Sequence, residues 1–229
     1  MTRVSINNQL HREAVNTTAL TAICLLILAL RIKITHEHYF LFMGWNLFLA
    51  LLPYGMMWIL KRRYSYLELL PETLRRLIFS VYSVLWLLFL PNAPYMITDF
   101  IHLEIGATYW WLDFILLTAY AITGLYYLYL SIKHWMDLMS VVFTGWSKIQ
   151  KSTTVHLIFL LCSIGVHLGR NLRYNSWDLL HHTKDLVKDS MDLFTNPMHY
   201  YFEWFQITAM YMLLFLGHVF YKTMERYVN

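Results

Sequence analysis

The chain has 229 residues, of which 58% are hydrophobic and only 14% charged, and its mean hydropathy is +0.43. Soluble proteins are about one quarter charged, so this composition excludes a soluble globular class and indicates an integral membrane protein whose partner is the lipid bilayer. The net charge of +4 comes from Lys and Arg in short loops, with no basic tail, which excludes nucleic acid as a partner.

Six apolar stretches approach the roughly 20 residues that a helix needs to cross a bilayer. We place them at residues 17–33, 39–60, 76–98, 109–132, 153–169 and 200–221. The segment before the first stretch lacks a signal-peptide pattern, so that stretch is predicted to remain as an uncleaved span. No connection has room for a soluble domain. The sequence therefore predicts an all-α bundle of about six transmembrane helices, forming a single transmembrane domain over residues 1–229.

The Lys and Arg residues are divided unequally between the two sides of these spans. Of the 18, 12 lie on the side of the two termini and 6 on the other side. Because cytoplasmic loops carry the excess of Lys and Arg, the sequence predicts a cell-membrane protein with both termini in the cytoplasm. Arg31 and Lys33 lie on the opposite side and weigh against this orientation.

The third span meets two prolines, Pro91 and Pro94, before it has crossed the bilayer. Residues 77–90 would cover only about 21 Å as a helix, so we expect the outer third of the span to be irregular. Proline removes an amide donor, and lipid offers no partner for the freed carbonyls. Asn92 is well placed to supply the missing hydrogen bonds. A simple proline kink and a polar pocket open to the outside are the two alternatives.

Ionisable side chains follow the prolines. If the helix resumes after Tyr95, then Thr98 or Asp99 can cap it, and Asp99 and His102 fall on one helical face. Asp99 and His102 are the candidate catalytic residues, acting as a base and its orienter or as metal ligands. Asn92 and Tyr95 are candidate substrate-binding residues beside them.

Basic side chains leave the bilayer at the same predicted face, from the end of the fifth span. His167, Arg170 and Arg173 are spaced by three and lie roughly along one helical face. The two arginines either clamp a phosphate or carboxylate or serve as interfacial anchors, so the candidate ligand is a lipid or an anionic small molecule. Asn175 and Asp178 are further candidate binding residues, although a helix capping box explains them more directly.

The connection after the third span contains Asp99 and Glu104 but no Lys or Arg. Burying a charge without a partner is costly, whereas a hydrogen-bonded ion pair recovers much of that cost. We therefore expect Arg170 or Arg173 to contact Asp99 or Glu104, directly or through a shared ligand. Asp113, near the membrane interface at the start of the fourth span, is a further acid with which these arginines could pair.

An amphipathic helix with an acidic face is predicted after the fifth span, on the outer membrane surface, and Asn196 and Pro197 end it. Its Asp and His spacing would allow a divalent metal site, although a charged stripe is usually a solvated face. Cys24 and Cys162 lie inside apolar runs and are predicted to be packing residues. The sequence identifies no cofactor, no definite metal ligands and no oligomeric state.

Two blocks, "LPNAPYMITDFIHL" and "GRNLRYNSWDLL", carry a resemblance to a known family. The chain resembles bacterial multi-pass membrane proteins catalogued as a domain of unknown function, which share the patterns L-P-N-A-P-Y-x-x-T-D-x-x-H-L and G-R-x-x-R-x-N-S-W-D. The resemblance covers residues 45–221 and implies a six-span membrane protein. The resemblance implies no established activity, substrate or cofactor. His167 stands where an aromatic residue is usual in the family.

Three classes of function remain open. An enzyme acting on a lipid-linked or phosphate-bearing substrate would use Asp99 and His102 for chemistry and Arg170 and Arg173 to hold the anion. A transporter would need polar residues throughout the membrane, whereas in the sequence they collect at one face. A structural or assembly protein would use the same residues to lock the bundle.

Overall fold

A computed structural model describes residues 3–171 and 183–228, and over these residues the protein is all α-helical, as predicted. The α-helices are α1 (Arg3–Thr35), α2 (Phe42–Arg62), α3 (Tyr64–Leu67), α4 (Glu72–Phe89), α5 (Asn92–Thr98), α6 (Trp110–Val142), α7 (Lys148–Asn171), α8 (Thr183–Thr195) and α9 (Tyr201–Val228). Two short 3₁₀ helices, Tyr39–Leu41 and Asp99–His102, precede α2 and follow α5.

Six helical segments of the described chain are long and apolar enough to cross a membrane, which confirms the six predicted spans. They are Asn8–Thr35, Tyr39–Arg62, Glu72–His102, Trp110–Val142, Lys148–Asn171 and Tyr201–Tyr227. Two helices extend ten residues or more beyond the predicted spans. Helix α1 begins well before residue 17, and α6 continues ten residues beyond residue 132. Both extensions carry charged residues that resemble loop sequence but are partly buried against other helices.

The chain divides into two compact units, Met1–Ser147 and Lys148–Asn229. Unit 1 contains four of the candidate spans and unit 2 contains the other two. The expectation of a single transmembrane domain stays a prediction.

Helix α6 is the centre of unit 1, where α1, α2, α4 and α5 pack against it. Its Ser131 hydroxyl accepts a hydrogen bond from Trp86 Nε1 of α4 at 2.7 Å and donates one to the Pro53 carbonyl of α2 at 2.9 Å. The Trp86 ring stacks on Trp135 with centroids 5.5 Å apart. One buried serine therefore joins three helices in a region where lipid offers polar groups no partner.

The faces of the surrounding helices follow a helical repeat. On α2 the buried residues recur every three or four positions and turn one face toward α6, and they include Met43, Leu47, Ala50, Tyr54 and Met57. Large apolar side chains elsewhere on α2 remain exposed. In a membrane-spanning bundle, this exposed apolar surface faces lipid.

In unit 2, α7 packs against α9. His156 Nδ1 of α7 and the Tyr211 hydroxyl of α9 lie 2.8 Å apart and share a hydrogen bond. Helix α8 ends at Thr195, so the predicted termination at Asn196 and Pro197 is confirmed. Trp204 Nε1 donates to the Leu193 carbonyl at 3.1 Å, which connects α8 to the start of α9.

Candidate functional site

The proline-containing segment between α4 and α6 positions the first candidate residues. Helix α4 ends at Phe89 and α5 begins at Asn92, so the irregular backbone expected over the outer third is limited to a short break. The choice between a simple proline kink and a polar pocket stays a prediction. The Ala93 amide donates to the Leu90 carbonyl at 3.1 Å, a shorter turn than in an α-helix. Asn92 Nδ2 donates to the Phe89 carbonyl at 2.9 Å. The predicted role of Asn92 in satisfying the break is therefore confirmed.

The resumed helix is held close to α6 by a glycine. A Cβ atom added at Gly124 would collide with the Ala93 carbonyl oxygen and would lie 2.8 Å from Met96 Cε. Glycine is required because the α5 backbone itself occupies the space of a side chain. The close approach buries Ala93, Pro94 and Met96 and carries the following 3₁₀ helix into the bundle.

Asp99 is the first residue of that 3₁₀ helix, and its side chain is 0% exposed. Its Oδ2 accepts a hydrogen bond from Asn46 Nδ2 of α2 at 3.0 Å. The expected capping role is not observed, because α5 begins at Asn92 after Pro91 and shows no side-chain cap. A ligand reaches a fully buried carboxylate only if the surrounding segment moves, and the predicted catalytic role of Asp99 stays a prediction.

His102, one turn later, is partly exposed and bonds to a different residue. Its Nδ1 lies 2.9 Å from the hydroxyl of Tyr39, a residue that is 58% exposed. The imidazole also contacts the Phe42 ring edge to face, with centroids 5.3 Å apart. The predicted pairing of Asp99 as base with His102 as orienter stays a prediction. The Tyr39–His102 pair is an accessible polar feature of this segment.

A buried ion pair lies at the same end of unit 1. Arg31 of α1 is 3% exposed, and its Nε donates to Asp113 Oδ1 of α6 at 2.9 Å. Its other nitrogens reach the Glu37 carbonyl at 3.1 Å and Glu37 Oε2 at 2.9 Å. The sequence assigned Arg170 or Arg173 as candidate partners of Asp113, whereas the described partner is Arg31.

The other residues predicted for the site lie in different parts of the chain. Arg170 is partly buried at the end of α7 in unit 2, and Glu104 is exposed in unit 1. The expected contact between them, or between Arg170 and Asp99, stays a prediction. Arg173, Asn175 and Asp178 lie outside the described residues. Tyr95 is partly buried on α5, and its carbonyl accepts a hydrogen bond from the Thr98 hydroxyl at 2.6 Å.

The described residues, 3–171 and 183–228, include His, Cys, Asp and Glu side chains, which are able to bind metal ions. Within these ranges no three His, Cys, Asp or Glu residues are grouped as a metal site would require. The metal site considered from sequence includes residues 178–182, which lie outside the described chain.

Sequence reasoning missed a second ionic cluster at the opposite end of unit 1. Glu13 Oε2 of α1 lies 2.7 Å from His134 Nε2 of α6, and Lys133 Nζ is 3.4 Å from Glu13 Oε1. Both Glu13 and His134 are buried. The sequence treated them as tail and loop residues. Extending the buried repeat of α1 backward from Thr17 would have placed Glu13 on the same face.

Polar contacts also continue between these two ends, along the interface of α1 and α6. The Thr21 and Tyr127 hydroxyls lie 2.6 Å apart, and Cys24 Sγ is 3.2 Å from Thr123 Oγ1. Along this interface, polar groups are therefore not confined to one face of the membrane, contrary to the expectation from sequence. Such hydrogen bonds fasten helices together in lipid, and they also occur in proteins that conduct polar species.

These features define an all-helical, multi-pass membrane protein with buried ionisable side chains at both ends of unit 1. The chain belongs to the family described as "Protein of unknown function (DUF1361)", which matches residues 45–218. The expected membership of a family of unknown function is thereby confirmed. No curated protein and no solved structure matches the chain. The matched range includes Asp99 and His134 but not Glu13 or Arg31.

Proposed function

We propose that the Asp99 end of unit 1 faces the outside of the cell membrane and that both termini lie in the cytoplasm. The excess of Lys and Arg on the side of the termini supports this orientation. Arg31 counts less against this orientation than its position in the sequence suggests. Its side chain is only 4% exposed, and it forms ion pairs with Asp113 and Glu37.

The orientation predicts which introduced cysteines react in intact cells. In a background without Cys24 and Cys162, Ile105→Cys should react with a membrane-impermeant maleimide, because residue 105 is 82% exposed beside the Asp99 end. Glu68→Cys, in the connection between α2 and α4, should react only after the cells are opened. Labelling of residue 68 and not of residue 105 in intact cells would reverse the orientation.

We further propose that the protein binds the headgroup of an anionic lipid, or an anionic small molecule, through Tyr39 and His102. The observation that carries this proposal is their hydrogen-bonded pair, held at 2.9 Å and accessible from solvent. A phenol and an imidazole both donate hydrogen bonds, which suits phosphate or carboxylate oxygens. The buried Asp99–Asn46 bond and the Gly124 contact support the proposal, since they fix the helix that carries His102.

An enzyme acting on a lipid-linked or phosphate-bearing substrate is the second candidate. The same pair favours it, because imidazole and phenol groups in contact can transfer a proton to or from a bound substrate. The two candidates differ in one observable. After incubation with the protein, chromatography of the lipid should show it unchanged for binding and cleaved or modified for catalysis.

Binding is tested by thermal unfolding in detergent with added phosphatidylglycerol, compared with zwitterionic phosphatidylcholine. A hundredfold excess over the dissociation constant should raise the wild-type melting temperature by roughly 5 to 10 °C. His102→Gln and Tyr39→Phe should each remove most of the difference between the two lipids, because each removes one partner of the accessible pair.

The matched control is His156→Gln, since His156 and Tyr211 form a similar pair at 2.8 Å in unit 2. This variant should keep the phosphatidylglycerol effect. Equal stabilisation by both lipids, or an effect that survives in both His102→Gln and Tyr39→Phe, would refute the proposed binding site.

A further inference from the structure

The second ionic cluster is built around one short contact between α1 and α6. Glu13 Oε2 and His134 Nε2 lie 2.7 Å apart, with Glu13 7% exposed and His134 0% exposed. Glu13 Oε1 is also satisfied, since it accepts a hydrogen bond from Gln9 Nε2 at 2.9 Å and lies 3.4 Å from Lys133 Nζ. Both oxygens of this buried carboxylate therefore have described partners.

The charges around the imidazole come from all three helices that pack there. Helix α1 contributes Glu13, α2 contributes Lys61 and α6 contributes Lys133 and Asp137; Lys61 Nζ lies 2.6 Å from Asp137 Oδ2. The Tyr54 ring of α2 also packs against His134, with centroids 5.8 Å apart. Two carboxylates face two lysines, so this group of charges is balanced when the imidazole is neutral.

The second imidazole nitrogen has a different environment from the first. His134 Nδ1 is buried and has no hydrogen-bond partner among the described residues. With the ring proton on Nε2, Nδ1 is an acceptor without a donor, and in the doubly protonated ring it is a donor without an acceptor. Leaving such an atom unpaired costs stability in either state. A purely structural histidine would be expected to satisfy both nitrogens.

We propose that Glu13 and His134 form a proton-exchange dyad. The neutral ring carries its proton on Nε2, which donates to Glu13 Oε2, and uptake of a proton from water at Nδ1 makes the ring doubly protonated beside the Glu13 carboxylate. The reverse transfer releases the proton. Proton relays built from carboxylate and histidine side chains are a known use of ionisable groups in membrane helices. The ligand of this second site is therefore the proton, and the site is independent of the Tyr39–His102 pair.

The test is nitrogen NMR of histidine-labelled protein in lipid bilayers. Across about pH 5 to 8, the His134 signals should change between the neutral and the doubly protonated ring. They are assigned by their loss in His134→Gln or, if that variant does not fold, by magnetisation transfer from the labelled Glu13 side chain. A His134 that keeps one tautomer and one protonation state throughout this range overturns the proposal, and this result needs only the wild-type protein.

The dependence on Glu13 is the second measurement. Glu13→Gln should move the midpoint of the His134 titration to lower pH by about one unit or more, a tenfold loss of proton affinity, because the carboxylate stabilises the added charge. Glu13→Asp should restore part of the shift. The matched control Glu72→Gln changes an exposed glutamate paired with Arg76 and should leave the midpoint in place. An unchanged midpoint in Glu13→Gln likewise overturns the proposal.

Discussion

Arg31→Gln is expected to destabilise unit 1 by about 3 to 5 kcal/mol, the usual loss when one partner of a buried ion pair is removed. Asp113 is 9% exposed and would remain buried while losing the guanidinium that lies 2.9 Å away. Glu37 should contribute little to this loss, because its side chain is 65% exposed and water can solvate it. The measurement is equilibrium unfolding of the purified protein in mixed micelles.

Two further variants separate charge burial from general damage. Arg31→Gln combined with Asp113→Asn should be less destabilised than the sum of the two single variants, since the double variant leaves no buried carboxylate at this position. Lys61→Gln serves as the matched control, because its partner Asp137 is 50% exposed. Lys61→Gln should lower the free energy of unfolding by only about 0 to 1 kcal/mol. Similar losses for Arg31→Gln and Lys61→Gln would contradict the assignment of Arg31 as the buried partner.

Gly124→Ala is expected to produce the second large loss. The added methyl group would meet the Ala93 carbonyl and Met96 Cε, so α5 must move away from α6. Overpacking of this kind typically costs about 1 to 3 kcal/mol, which corresponds to a fall of roughly 3 to 10 °C in melting temperature for a chain of this size. Thermal unfolding in detergent measures the shift.

Gly55→Ala is the control for the glycine prediction. Gly55 also lies inside a helix, but nothing stands within 4 Å of the position its Cβ would take. Alanine is the better helix former, so this variant should be neutral or slightly stabilising. If the two glycine variants unfold at the same temperature, the close approach of α5 to α6 does not limit the stability of unit 1.

The transmembrane architecture could be predicted from the sequence because it depends on local apolar length. The helix ends were harder, because polar residues near an end resemble loop sequence until their partners are known. Glu13 and His134 illustrate this difficulty: each looks solvent-exposed alone, and each is buried by the other across α1 and α6.

At the candidate site, contacts between residues close in the chain could be predicted from the sequence, and contacts between distant residues could not. Asn92 bonds to a carbonyl three residues away, and the sequence predicts that role. The irregular backbone expected over the outer third is limited to a short break between α4 and α5, which shortened turns and the Asn92 amide satisfy. The bonds of Asp99 to Asn46 and of His102 to Tyr39 join residues far apart in the chain. No rule of sequence spacing predicts that the two residues of either pair are in contact.

The two ionic clusters that join α1 to α6 also define a length. From Glu13 to Arg31 the helix rises about 27 Å, slightly less than the 30 Å or so of a typical hydrocarbon core. Because charged contacts lie at both ends, neither helix can slide past the other to fit a thicker bilayer. The register between α1 and α6 is therefore fixed.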